Sequence, residues 1–196
     1  RISTILNASS KDLNKNGAFD GFIDIDSRLH VDPSLLEFSK IKEFKKSKKT
    51  FDKYFSEVLA LVNGSKKEGD KLWREAKKRL EFKEIGNTAL GYSKSGTVGN
   101  AIGPVLANKI LVTVTQIVDA GIKDPVIFEL VGMFEEGVGA DRISDMTVNI
   151  LFDNFAAYSN RVAKELKAPL KKFKIKETEY ELPFDPVTGS EIILVP

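Results

Sequence analysis

The chain has 196 residues, 42% of them hydrophobic and 30% charged, which suits one domain or one and a half with a sizeable core and excludes a collagen-like, mucin-like or wholly disordered chain. It has no cysteine and one histidine, His30, so disulfides, zinc–thiolate sites, iron–sulfur clusters, cysteine nucleophiles and multi-histidine metal sites within the chain are excluded. Thirty bases against 28 acids leave +2, which makes no case by itself for a nucleic-acid or membrane partner, yet residues 40–83 hold fifteen of the bases and only seven of the acids.

Asp12, Asn14, Asn16 and Gly17 match the front half of a calcium-binding loop, but the position that needs a bidentate Glu is Ile23. A polar turn is the plainer reading. Phe22 to Asp26 alternates apolar and acidic residues, the period of a short strand. His30 follows, within reach of a general-base role beside Asp24 or Asp26, although a lone histidine at such a junction is more often structural.

Asp32-Pro33 is a helix-start signal. Ile41, Phe44, Phe51, Phe55, Val58, Leu59 and Val62 continue at helical spacing to Asn63-Gly64, a stop. Ser65 to Glu68 reads as a capping box for a second helix, whose inner face is Leu72, Trp73, Ala76 and Leu80. The lysines of both helices fall mainly on the other faces. They read first as a solvated surface and second as a track for a phosphate backbone; acids are interleaved, and no aromatic base-stacking platform is evident.

Gly91 to Gly96 has the spacing of a phosphate-binding loop, but Thr97-Val98 stands where Lys and Ser/Thr are required. A generic anion nest remains, built on Lys94, Ser95 and Gly96 with Arg142. Val105 to Ala120 is apolar nearly all round and predicts the buried centre of a bundle, with strand as the alternative because so many residues are β-branched. Asp124-Pro125 starts a short helix through Phe134, and Gly137 and Gly139 break the chain. A long helix is expected from Asp141 to Lys167, closed by Ala168-Pro169. The end of the chain predicts a β-hairpin, with a turn at Pro183 to Gly189 and a return strand at Glu191 to Val195.

Asp141, Asp145, Asn149 and Asp153 recur every four residues and form one helical stripe. Glu135 and Glu136 stand just before it. Carboxylates gathered without His or Cys suit Mg²⁺ or Mn²⁺, so Glu135, Glu136, Asp141, Asp145 and Asn149 are the candidate metal ligands, with Arg142 and Lys94 placed to neutralise a phosphate. The competing reading is a solvated face whose first-turn acids favour the helix dipole.

The expectation is therefore a mainly-α fold of about five helices around the 105–120 segment, with a short N-terminal strand and a C-terminal β-hairpin. Residues 1–170 form the helical domain and 171–196 the hairpin. No run is long enough for a membrane span, and no secretory signal pattern is evident. Missing cysteine fits the cytoplasm. Both ends read as cut, which points to a segment of a longer intracellular protein of bacterial type. The expected function is a non-catalytic helical binding module engaging a protein partner, a phosphate-bearing ligand or a nucleic acid. The alternative is a Mg²⁺- or Mn²⁺-dependent phosphohydrolase or nuclease.

Overall fold

Helix-forming stretches dominate the chain, and in the computed structural model they become eight α-helices, three 3-10 helices and one two-stranded antiparallel sheet among the described residues, which are 1–23, 29–83, 85, 88 and 101–196. The fold is mainly helical with a small C-terminal hairpin, as the sequence predicts. The chain divides into two compact units. Of the described residues, 30–83 and 101–151 belong to one, and 1–23, 29, 85, 88 and 152–196 to the other.

In the 30–151 unit, Asp32 does cap a helix, accepting a hydrogen bond from Ser34 N–H at 2.9 Å, but the helix is 3-10 and ends at Phe38. The single helix expected from Asp32 to Asn63 is thus divided. Ser39 and Ile41 are extended, and Ser39 Oγ accepts from Ile41 N–H, a local bond that competes with the helix ladder. A second 3-10 turn, Lys42–Phe44, precedes the long helix α3, Ser47–Gly64. Its buried stripe is Phe51, Phe55, Val58, Leu59 and Val62.

The next helix, α4, Lys71–Arg79, starts later than the Ser65 signal predicts. Gly69, at φ +80°, turns the chain, and Asp70 becomes the cap by accepting from Trp73 N–H at 2.8 Å. That bond and one from Lys66 N–H hold the Asp70 carboxyl down to about 2. Helix α5, Pro104–Asp119, has Pro at its first turn. It buries Ala107, Ile110, Leu111, Val114 and Val118, with Leu106, Val112 and Ile117 half-buried around them, as expected of a central helix. Phe128, from the 3-10 turn Pro125–Phe128, stacks on Phe55 with ring centroids 4.3 Å apart. Helices α6, Val131–Phe134, and α7, Ala140–Ile150, complete the unit.

The long helix expected over Asp141 to Lys167 is interrupted at Leu151, where φ −100°, ψ 21° leaves helical space. Side chains in the turns before it bond back to the ladder: Thr147 Oγ1 donates to Ile143 O, and Asn149 Nδ2 to Asp145 O. The chain then resumes as α8, Phe152–Glu165, in the other unit.

That unit joins α1, Ile2–Ile5, and α2, Ser10–Lys15, to α8 and the hairpin. Asp12 sits inside α2, bonded to its cap Ser9, so the calcium-loop pattern is a short helix here. The expected strand at Phe22 to Asp26 lies largely outside the described residues, and Phe22 and Ile23 are not in a strand. The hairpin pairs β1, Leu170–Ile175, with β2, Thr178–Pro183, in the register Phe173 opposite Tyr180. Its turn is therefore Lys176-Glu177 rather than Pro183 to Gly189. The latter is a separate turn held by Asp185, and Glu191 makes only an isolated bridge to Phe184. Beyond it, Ile192 to Val195 are all buried, with Leu194 N–H donating to Ser159 Oγ at 2.8 Å and Phe19 N–H to Val195 O at 2.9 Å.

Candidate functional site

Of the five proposed metal ligands, Glu135, Asp141 and Asn149 make side-chain contacts elsewhere in the fold. Glu135 follows α6 and accepts a hydrogen bond from Thr113 Oγ1 of α5. Glu136 is exposed. Asp141 lies in the first turn of α7, with Oδ1 4.0 Å from His30 Nδ1, so the histidine faces Asp141. Its sequence-based companions, Asp24 and Asp26, lie outside the described residues. Asn149 is buried and donates to Lys83 O at 2.7 Å as well as to Asp145 O at 3.0 Å. Asp153 lies past the Leu151 break, on α8, where it accepts from Tyr180 O–H at 2.5 Å. Among the described residues, no three His, Asp or Glu side chains are grouped so as to hold a metal ion.

The anion nest is only partly described. Lys94, Ser95 and Gly96 lie outside the described residues. Arg142 donates from Nη1 to Gly137 O, closing the glycine turn onto the start of α7. Ser144 is likewise committed, its Oγ accepting from Val31 N–H at 2.9 Å. Arg142 and Ser144 thus tie the start of α7 to the glycine turn and to residue 31.

The basic segment is organised differently. Helices α3 and α4 form an antiparallel hairpin. At one end, Leu72 of α4 meets Gly64 of α3, where an added Cβ would lie 2.9 Å from Leu72 Cδ1. At the other, Tyr54 O–H donates to Arg79 O at 2.6 Å, and Arg79 Nη1 reaches Glu57 at 2.7 Å. Trp73, Ala76 and the α3 stripe face the core. At about 100° per residue, Lys49, Lys53, Ser56 and Ala60 fall on the opposite side of α3, and Lys71, Arg74 and Lys78 on the outer side of α4; all are exposed.

Four of the interleaved acids bond to partners outside this row. Arg79 takes up both Glu57 and, at 3.5 Å, Glu75, and the hydrogen bond it donates to Glu57 raises its pKa further. Asp52 is bound by Lys48 at 2.6 Å, and Asp70 is used as a helix cap. Lys48 also reaches Glu129 at 2.8 Å; burial opposes its charge, but these two carboxylates outweigh burial and raise its pKa. Lys46, Lys49, Lys53, Lys71 and Lys78 make no ion pair with any described residue. Lys46, just before α3, continues the row of Lys49 and Lys53. Because α4 ends level with Tyr54 and Glu57, the row runs along the first half of α3 and passes to α4 alongside the second half. Its length is that of the 18-residue helix, about 27 Å.

The sequence shows the i,i+4 pairs Lys48–Asp52 and Glu75–Arg79 directly. It gives no sign of Arg79–Glu57 or Lys48–Glu129, which join different elements.

A family model described as a domain of unknown function, DUF8370, matches residues 7–196, so the chain belongs to that family. No curated protein and no solved structure matches it.

Proposed function

We propose that this DUF8370 domain is a non-catalytic helical binding module that takes a phosphate-bearing ligand on the outer face of the α3–α4 hairpin. The observation that carries the reading is the row of exposed lysines that make no ion pair with any described residue, on helices where Asp52, Glu57, Asp70 and Glu75 bond to Lys48, Arg79 and the α4 cap. Unpaired ammonium groups on two helices braced against each other form a region of positive potential, which attracts anions at a distance and holds them on contact. Hydrolysis has less support: Glu135, Asn149 and Arg142 each hold another element of the fold.

The test is retention on heparin. The wild-type domain is expected to bind at low salt and elute well above physiological ionic strength. Lys49→Glu/Lys53→Glu should elute at distinctly lower salt. Lys171→Glu/Lys174→Glu, on the C-terminal hairpin, should behave as wild type. Flow-through of the wild type, or an equal shift in both variants, refutes the reading.

A further inference from the structure

We infer that the phosphate-bearing ligand of the lysine row is a double-stranded nucleic acid, gripped through its backbone without regard to base sequence; this rests on the binding reading above. Three features of the row lead there. The first is its length. A duplex carries a phosphate about every 1.7 Å of its axis, both strands counted, and a row of about 27 Å lies along roughly eight base pairs of that axis. A compact phosphate ligand would engage only one or two of these cations.

The second is what lies between the lysines. Ser56 and Ala60 are small, and no aromatic side chain stands on the outer face of either helix. Single strands are held by stacking bases on aromatic rings, and membrane-surface helices by burying Trp, Phe or Leu. Protein interfaces are anchored by Trp, Tyr and Arg seated in pockets. A row of bare lysines lacks the means for all three and retains the one interaction that a duplex backbone needs.

The third is the absence of a base-reading side chain. Sequence is read in the grooves by bidentate Arg, Asn or Gln. Arg74 is tied by Nη1 to Gly69 O at 2.5 Å, Arg79 is held by its two glutamates, and Asn63 donates to Leu59 O. The remaining cations are lysines, which contact phosphates as point charges.

The experiment is fluorescence anisotropy with fluorescein-labelled 20-base-pair duplexes of two unrelated sequences, as DNA and as RNA, between 50 and 200 mM NaCl. Five lysine–phosphate contacts predict a slope of log Kobs against log[NaCl] of about −4.5 on duplex DNA. The two sequences should bind within about threefold of each other. Lys49→Gln/Lys53→Gln should flatten the slope by about 2 and weaken binding, while Lys171→Gln/Lys174→Gln leaves both unchanged. A labelled single strand, poly-glutamate and phosphatidylserine vesicles should bind more weakly than duplex. Tighter binding to any of these three overturns the duplex assignment, as does a slope that Lys49→Gln/Lys53→Gln does not change. If no duplex binds at 50 mM NaCl while heparin retention still depends on Lys49 and Lys53, the duplex inference falls and the anion-binding reading stands. If heparin retention fails too, both fall.

Discussion

Tyr54 offers a test of the clasp that sets α4 against α3. Its ring packs edge-on to Phe55 at 5.3 Å between centroids, and its hydroxyl donates to the Arg79 carbonyl at 2.6 Å. Tyr54→Phe removes the hydroxyl and leaves the ring in place. Arg79 ends α4, so water can reach its carbonyl once the phenol is gone, and the cost at neutral pH is that of one net hydrogen bond, about 1 kcal/mol. Burial of the phenol pushes its pKa up from 10.0 to about 12. A raised folded-state pKa means that the folded protein holds the proton more tightly than the unfolded chain. The associated stability is complete below pH 10 and lost as pH rises from 10 toward 12. Two units correspond to at most about 2.7 kcal/mol, of which about 1.4 is gone by pH 11.

Wild type should therefore exceed Tyr54→Phe by about 1 kcal/mol at pH 8, equal it near pH 11 and fall below it beyond. Lysines also titrate in this range, but they are common to both proteins and cancel in the difference. Urea unfolding followed by Trp73 fluorescence suits the measurement, because Trp73 lies on the inner face of α4 and is 6% exposed. A difference that stays constant from pH 8 to pH 11 would show that the phenol is not buried in the clasp. No difference at pH 8 would remove the hydrogen bond from the account.

Asp20, 8% exposed, accepts from Ser3 N–H, Ser3 Oγ and Ser10 Oγ, and Asp20→Asn should cost about 1.5–3 kcal/mol in urea unfolding at pH 7. Burial alone would raise its carboxyl pKa, but these bonds outweigh burial and lower it, so its contribution is complete above pH 3.8 and shrinks as pH falls; the gap to Asp20→Asn should narrow at pH 3. Gly132→Ala would place a Cβ 2.5 Å from Val138 O, a backbone atom that cannot step aside, and should lower stability by about 1–3 kcal/mol in thermal unfolding. Millimolar Mn²⁺ should leave the melting temperature unchanged, whereas a rise of several degrees that Asp145→Asn abolishes would assign a metal site to α7.

The fold was legible where one local signal dominated. The near-continuous apolar run of α5 predicts a central helix, and one forms. Boundaries were less legible, because local signals compete. Pro183 to Gly189 has strong turn chemistry and does turn, but the hairpin reverses earlier, at Lys176-Glu177, where Lys176 takes φ +55° without glycine. The pairing of Phe173 with Tyr180 and of Lys172 with Glu181 fixes that register. The Ser65 capping box lost to Asp70 for a related reason. Both sequences can cap, but Gly69 turns the chain so that Asp70 meets the free N–H groups.

Charge was legible as position and illegible as use. Spacing by four correctly places Asp141, Asp145 and Asn149 along one helix, and spacing alone makes them look like converging ligands. What they do is decided by groups far away in sequence: His30 beside Asp141, the Lys83 carbonyl on Asn149, Thr113 on Glu135. Each such contact removes a side chain from the pool available to a ligand. On the α3–α4 hairpin the same logic runs in the opposite direction. Interleaved Glu57 and Glu75 look in the sequence like local neutralisation of the lysines. In the fold both converge on Arg79, a single cation at the end of α4, and neither bonds to a lysine of the row. The lysines on the outer faces are left without carboxylate partners among the described residues, which is the arrangement that the proposed anion binding uses.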